Sequence, residues 1–282
     1  MSSLPARLLA LPRPFFEVFR SARTILLRLL GPVETLTWFL KRRAGLPPLW
    51  LRRHTGPVSD FESAAADMTQ LLETLGLVAP DDLVLDAGCG AGAMVPTFAR
   101  LLGASGRYVG FDLYEPSIRW CRGRFRADPR LGFETTSPAT ASRFPVADGE
   151  AGFVLAKSLF THLQEAEARH FLSEIRRVLR PGGTAVVTAF LFERGEGETR
   201  AAEFFPFTST DGSARWRWKS HPESAIAFEG SSFLAMVSGA GLSHEWLGRG
   251  FWPGAAVPRG QDILLLFRAE ERPAKRAAPK TP

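Results

Sequence analysis

The sequence predicts an α/β domain wound on both faces of a mostly parallel sheet. Three observations predict it: a glycine-rich loop between a strand and a helix, a second strand ending in an acid one βα unit later, and alternating strand and helix patterns beyond. The first is the most informative. Val84-Leu85-Asp86-Ala87-Gly88-Cys89-Gly90-Ala91-Gly92 reads as an apolar strand end, a carboxylate, then glycine at every second position. Residues 93–102 follow with a helix-compatible pattern. Glycine is needed where backbone bends tightly and a ligand approaches it without a Cβ between. A strand feeding such a loop and then a helix N-terminus is the ligand crevice of a doubly wound sheet. A nucleotide-like small molecule is therefore expected here.

The second strand, Arg107-Tyr108-Val109-Gly110-Phe111-Asp112, ends in an acid 24 residues after Gly88. A carboxylate at that place accepts the ribose hydroxyls of a nucleotide. Glu115-Pro116 then opens a helix, with proline suited to its first turn. Residues 164–179 carry Phe171, Leu172, Ile175, Val178 and Leu179 at helical spacing. Arg180-Pro181-Gly182-Gly183 stops that helix, and residues 184–190 form the next strand. Residues 231–240 read as a helix. Residues 244–251 and 262–267 read as the final pair of strands.

Two cofactor classes fit the loop. Gly88-x-Gly90-x-x-Ala93 satisfies the dinucleotide fingerprint. Asp86 favours the other: a carboxylate facing the ligand repels a pyrophosphate but suits an ammonium or a sulfonium. S-adenosylmethionine carries both.

The pattern Asp86-x-Gly88-x-Gly90-x-Gly92, Asp112, the segment from Phe144 to Leu163, and the turn Leu179-Arg180-Pro181-Gly182-Gly183 occur in that order. Together they resemble the class I S-adenosylmethionine-dependent methyltransferases. The resemblance implies a Rossmann-like, doubly wound, seven-stranded sheet with an antiparallel final strand. It implies S-adenosyl-L-methionine as cofactor, bound by Asp86, Gly88, Cys89, Gly90, Gly92 and Asp112, with Leu113 and Tyr114 flanking the adenine. Thr55-Gly56-Pro57, Phe160-Thr161-His162, Trp252 and Gln261-Asp262-Ile263-Leu264 further resemble a bacterial small-molecule subfamily, over residues 54–268. Two departures stand out. Gly152 occupies the place where an acid often begins the fourth strand. Residues 133–137 offer hydroxyls where an acid often reaches the adenine amino group.

Methyl transfer mainly needs donor and acceptor held in line. A hydroxyl acceptor also needs a base, and His162 after the fourth strand is the candidate catalytic residue. Its competing role is a helix-start residue beside a capping Thr161. Lys157 either orients an anionic acceptor or reaches to solvent.

The chain has 282 residues, 45% apolar and 23% charged, enough for one large domain with additions. Neither cysteine, Cys89 or Cys121, stands where a disulfide or zinc site is expected, which implies a reducing, cytoplasmic compartment. The five histidines are scattered, so no metal is expected. Residues 1–55 hold ten Lys/Arg against two Asp/Glu, whereas residues 56–267 hold twenty against twenty-five. The basic character belongs to the ends, which argues against a nucleic-acid partner.

Three regions follow: a basic helical extension over 1–55, the methyltransferase-like domain over 56–268 and a disordered tail over 269–282. In the extension Phe15, Val18, Phe19, Ala22, Ile25, Leu26, Leu29 and Leu30 share one helical face. A second helix is expected over 33–43. These helices serve either as a lid on the domain or as an anchor on the inner membrane surface. Residues 192–223 interleave Phe204, Phe205, Phe207, Trp216 and Trp218 with Arg217, Lys219 and His221. They form either an aromatic wall on the substrate side or a hairpin with its own small core. The expected function is methylation of a small-molecule hydroxyl on a sugar, lipid or secondary metabolite. The alternatives are a nucleic-acid or protein methyltransferase, an NAD-dependent oxidoreductase and a non-catalytic cofactor-binding module.

Overall fold

The computed structural model describes residues 36, 45–52, 61–137, 143–192, 207, 209–210, 214–216, 221–248, 250 and 261–271. The chain divides into two units, Met1–Phe61 and Glu62–Pro282. Within the first, Leu36 is helical and Leu49–Arg52 forms a short helix. The Arg52 Nε donates to the Pro47 carbonyl at 2.9 Å. The amphipathic stretch 15–30, Thr55-Gly56-Pro57, Phe204, Phe205, Trp218, Trp252 and residues after 271 lie outside the described residues.

The second unit runs α1 (Phe61–Leu75), β1 (Leu83–Ala87), α2 (Val95–Leu101), β2 (Arg107–Asp112), α3 (Glu115–Arg124), β3 (Leu131–Thr135), β4 (Ala151–Ala156), α4 (Glu165–Val178) and β5 (Leu179–Phe192). It continues through β6 (Ser209–Thr210), β7 (Ala214–Trp216), β8 (Ile226–Glu229), α5 (Gly230–Gly239), β9 (Leu242–Gly248) and β10 (Asp262–Arg268). The main sheet has the order β3-β2-β1-β4-β5-β10-β9. Strands β1 to β5 pair in parallel, and β10 is antiparallel to both β5 and β9. This is the seven-stranded, Rossmann-like sheet that the sequence predicts.

Alternation along the strands builds a core on each face. Val84, Tyr108, Phe133, Phe153, Leu155 and Val186 pack under α1, α2 and α3, represented by Leu72, Phe98 and Ile118. Leu85, Phe111, Val154, Val187 and Leu264 pack under α4 and α5, through Leu172, Ile175 and Phe233. The strands are buried on both sides, so they read as continuous apolar runs. The α4 start is a capping box: Gln164 N–H donates to the Glu167 carboxylate at 2.7 Å, and the Gln164 side chain caps the Glu167 backbone.

One expectation needs correction. The Arg180-Pro181-Gly182-Gly183 segment does end α4, but it lies inside β5 rather than before it. Ala151 pairs with Leu179 and Phe153 with Thr184, so the extra residues form a bulge. Gly182 takes φ 71°, and a Cβ on Gly183 would come within 2.8 Å of the Ala151 carbonyl. Glycine makes the bulge fit.

Of the aromatic insertion, residues 192, 207, 209–210, 214–216 and 221–223 are described, and β6 and β7 pair antiparallel within it. Phe190, Leu191 and Phe192 continue β5 past β4 and pair with β8, which pairs with β7 and then β6. Phe207 and Trp216 pack on the main core rather than on a separate one. The Phe207 ring meets Phe190 edge-on at 5.6 Å. No described helix is long and apolar enough to cross a membrane.

Candidate active site

The glycine loop leaves β1 with Gly88, Gly90 and Gly92 at φ 74°, 54° and 81°, all left-handed. Glycine occupies that region without a Cβ penalty. The Gly88 and Cys89 N–H groups both donate to the Phe111 carbonyl, at 2.9 and 3.0 Å. Asp112 completes the link to β2. Its Oδ2 accepts the Gly90 N–H at 2.9 Å, and its Oδ1 accepts the Tyr114 N–H at 2.8 Å. A carboxylate oxygen has a second lone pair, so each oxygen can still take a ligand hydroxyl. Leu113 next to it is 54% exposed, a large apolar side chain left open beside the loop. Tyr114 is half-buried at the start of α3.

Asp86 is 2% exposed at the end of β1, on the face that carries Tyr108. The Tyr108 hydroxyl donates to its Oδ2 at 2.8 Å. Burial pushes the Asp86 carboxyl up to about 7, with the Tyr108 hydrogen bond and the Lys157 ammonium pulling it down and Asp112 pushing it up. Lys157, half-buried after β4, thus acts on Asp86 from the neighbouring strand end. Tyr108 was missed from sequence. Its signal was the alternation in β2, which pairs Tyr108 with Val84 and sets it on the Asp86 face.

The raised carboxyl has a measurable consequence. The folded protein binds this proton more tightly than the unfolded chain, whose value stays near 3.8. Stability is therefore expected to fall as pH rises from about 4 to about 7, and to level off above. Asp86→Asn keeps an acceptor for Tyr108 and removes the titration. Urea unfolding at pH 4.5 and 7.5 should show wild type losing at least about 1 kcal/mol relative to the variant. Parallel curves for the two proteins would disprove the buried titration.

Cys89 and Cys121 share one acceptor, the Gly90 carbonyl, at 3.8 and 3.7 Å. Both thiols are free and buried. Burial pushes Cys89 well up and Cys121 up to about 12, so both stay protonated donors under the loop. The sequence gives no hint that they meet. Leu159 closes the loop from the β4 side: a Cβ on Gly88 would lie 3.2 Å from its Cδ1.

His162 is exposed, and its Nδ1 lies 2.9 Å from the Glu223 carbonyl. A carbonyl only accepts, so Nδ1 carries a proton in this contact, and Nε2 is the lone-pair nitrogen of the neutral imidazole. Thr161 does not cap α4 through its side chain; its hydroxyl donates to the Ser158 carbonyl at 2.7 Å, and Gln164 is the cap. Ser158, Thr188 and Gln261 also meet at the strand ends. Among the described residues no group of three His, Cys, Asp or Glu side chains could hold a metal ion.

Known proteins resemble this chain in the same region. Residues 84–183 match the family model described as a methyltransferase domain. The ubiquinone/menaquinone biosynthesis C-methyltransferase UbiE of Hydrogenovibrio crunogenus is 28% identical over 130 residues, 46% of this chain and 50% of that protein. The mRNA cap guanine-N(7) methyltransferase 1 of Arabidopsis thaliana is 31% identical over 126 residues, 39% of this chain and 33% of that protein. The chain thus spans only a third to a half of the length of these curated relatives. Among solved structures, the PH0226 protein of Pyrococcus horikoshii superposes with a TM-score of 0.53 at 16% identity, over 74% of this chain and 91% of that one. That likeness establishes the fold. Members of the matched family use S-adenosylmethionine. The motif order, the sheet topology and the matched model thus agree that residues 84–183 carry a methyltransferase domain on a Rossmann-like sheet.

Proposed function

We propose that this protein transfers a methyl group from S-adenosyl-L-methionine to a hydroxyl oxygen of a small-molecule acceptor. One observation carries the donor assignment: three left-handed glycines tied through Gly90 to an acid that retains acceptor capacity. That cradle fits an adenosyl ligand, with Asp112 on the ribose, Gly88, Cys89, Gly90 and Gly92 along the backbone wall, and Leu113 and Tyr114 beside the adenine. Asp86 supports the loop from below and adds negative potential towards the methionine ammonium once deprotonated.

Held by Asp112 and the glycine loop, the cofactor would supply an electrophilic methyl carbon whose leaving group is the neutral thioether of S-adenosylhomocysteine. The chain's own residues hold the acceptor in line and handle its proton. His162 Nε2 takes that proton as an acceptor lone pair forms the new C–O bond. The fixed Nδ1 contact with Glu223 supports this assignment. A small acceptor fits the negative balance of residues 56–267 better than a nucleic acid does. Two buried free thiols accord with a cytoplasmic location.

Calorimetric titration with S-adenosylhomocysteine, with NAD in parallel, tests the donor. Saturable binding of the first alone is expected; binding of NAD alone would replace the assignment by an oxidoreductase. Turnover of methyl-labelled S-adenosylmethionine tests His162. The His162→Gln variant should lose about a hundredfold in kcat with the S-adenosylhomocysteine affinity kept. Unchanged kcat would return His162 to a structural role.

A further inference from the structure

Ser158 has φ 59°, the one non-glycine residue in the left-handed region among the described residues. Such a conformation persists only where neighbouring contacts enforce it. The contacts here form a ring. The Ser158 N–H donates to Thr188 Oγ1 at 2.7 Å. Having accepted that bond, the Thr188 hydroxyl donates to Gln261 Oε1 at 2.5 Å. This orients the Gln261 amide, whose Nε2 donates to Ser158 Oγ at 3.1 Å. Three residues separated by 30, 73 and 103 positions are brought together from the ends of β4, β5 and β10.

Within this ring the Ser158 Oγ accepts and keeps its own proton. That proton reaches the second lone pair of Gln261 Oε1 at 3.2 Å, the longest bond of the ring and the one an acceptor oxygen would replace. Thr188 is 3% exposed, whereas Ser158 and Gln261 are half-buried, so the ring is open to solvent on the Ser158 and Gln261 side. The next residue, Leu159, rests against Gly88 of the cofactor loop. The ring therefore adjoins the place where a donor would lie.

We propose that Ser158, oriented by Thr188 and Gln261, binds the acceptor by donating its Oγ–H to the oxygen that receives the methyl group. This rests on the methyltransferase function proposed above. Lone-pair arithmetic selects the chemistry. A hydroxyl oxygen has two lone pairs: one accepts from Ser158, the other attacks the methyl carbon, and its proton passes to His162. An amine nitrogen has one lone pair, which the Ser158 bond would occupy. A thiol is a weak acceptor. All three ring members are uncharged, so the acceptor is a neutral alcohol or phenol.

The test uses methyl-labelled S-adenosylmethionine with phenol, catechol and methyl glucoside as hydroxyl probes, and aniline and thiophenol as controls. Wild type should methylate at least one hydroxyl probe and neither control. Ser158→Ala and Ser158→Gly should each lower kcat/KM about tenfold or more. The glycine variant relieves the φ, so a folding defect cannot account for its loss. Thr188→Val and Gln261→Leu, acting through Ser158, should give smaller losses. All four should bind S-adenosylhomocysteine within about threefold of wild type. Undiminished kcat/KM in the Ser158 variants would overturn the proposal, as would turnover of the controls alone, or of none of the probes, by wild type that binds S-adenosylhomocysteine. Failure of wild type to bind S-adenosylhomocysteine would instead overturn the methyltransferase function itself.

Discussion

Asp112→Ala is expected to weaken S-adenosylhomocysteine binding about a hundredfold or more, measured by calorimetric titration. The carboxylate has two tasks, and alanine removes both. It ties the Gly90 and Tyr114 N–H groups across the crevice, at 2.9 and 2.8 Å. In the proposed function it also presents the remaining lone pairs to the ribose. A hydrogen bond to a charged group is worth about 1.5–3 kcal/mol, and two ribose contacts are lost together. About 3 kcal/mol corresponds to roughly a hundredfold in affinity. The untethered Gly90 adds to the loss, because a left-handed loop must then be ordered when the ligand arrives. Asp112→Asn keeps one oxygen but turns an amide towards a backbone N–H, so an intermediate loss is expected. An Asp112→Ala variant that is folded and binds within threefold of wild type would refute the placement of the ribose.

Gly152→Ala is expected to destabilise the fold by about 3 kcal/mol or more, measured by urea unfolding. A Cβ at this position would stand 1.9 Å from Asp82 Oδ1, 2.5 Å from its Cγ and 3.0 Å from Arg180 Nε. Asp82 cannot easily give way. It is buried, its Oδ2 accepts the Ala79 N–H at 2.7 Å, and its Oδ1 accepts from Arg180 Nη2 at 2.5 Å. Moving that carboxylate would leave a buried charge short of partners. The position is also where this sequence departs from the pattern it resembles, since an acid often begins the fourth strand. Here Asp82, just before the neighbouring strand β1, occupies that space. The Gly152→Ala/Asp82→Ala double variant should therefore lose less than the two single variants summed, a coupling that a double-mutant cycle reads directly. A loss below about 1 kcal/mol in Gly152→Ala alone would show that Asp82 has room to move.

Much of the fold was legible because its signals are local. The β2 strand and the α3 start coincide with the acid-terminated run and with Glu115-Pro116. The α4 bounds lie within a residue of those read from its apolar spacing. Strand β5 was misread because glycine and proline mark a break equally well at a bulge and at a turn. Only the pairing of Leu179 with Ala151 distinguishes the two. The aromatic segment was ambiguous for a related reason. Its composition says that rings are buried, but not against which partner, and Phe207 and Trp216 found the main core.

The candidate site divides along the same line. The left-handed turns at Gly88, Gly90 and Gly92 and the strand-end Asp112 were legible because backbone curvature and a strand-end acid leave traces in adjacent residues. The sequence by itself determined the fold class and the methyltransferase-like order of motifs over residues 84–183. Tertiary structure alone decided which way the side chains turn: Asp86 onto Tyr108, Cys89 and Cys121 onto one carbonyl, Ser158 into a ring with Thr188 and Gln261. The physical reason is range. Propensity and periodicity act over a few residues, whereas a buried polar group takes its partner from whatever strand the sheet order brings beside it, and here, Cys89 and its neighbour Gly90 apart, those partners lie 22 to 103 positions away in the chain.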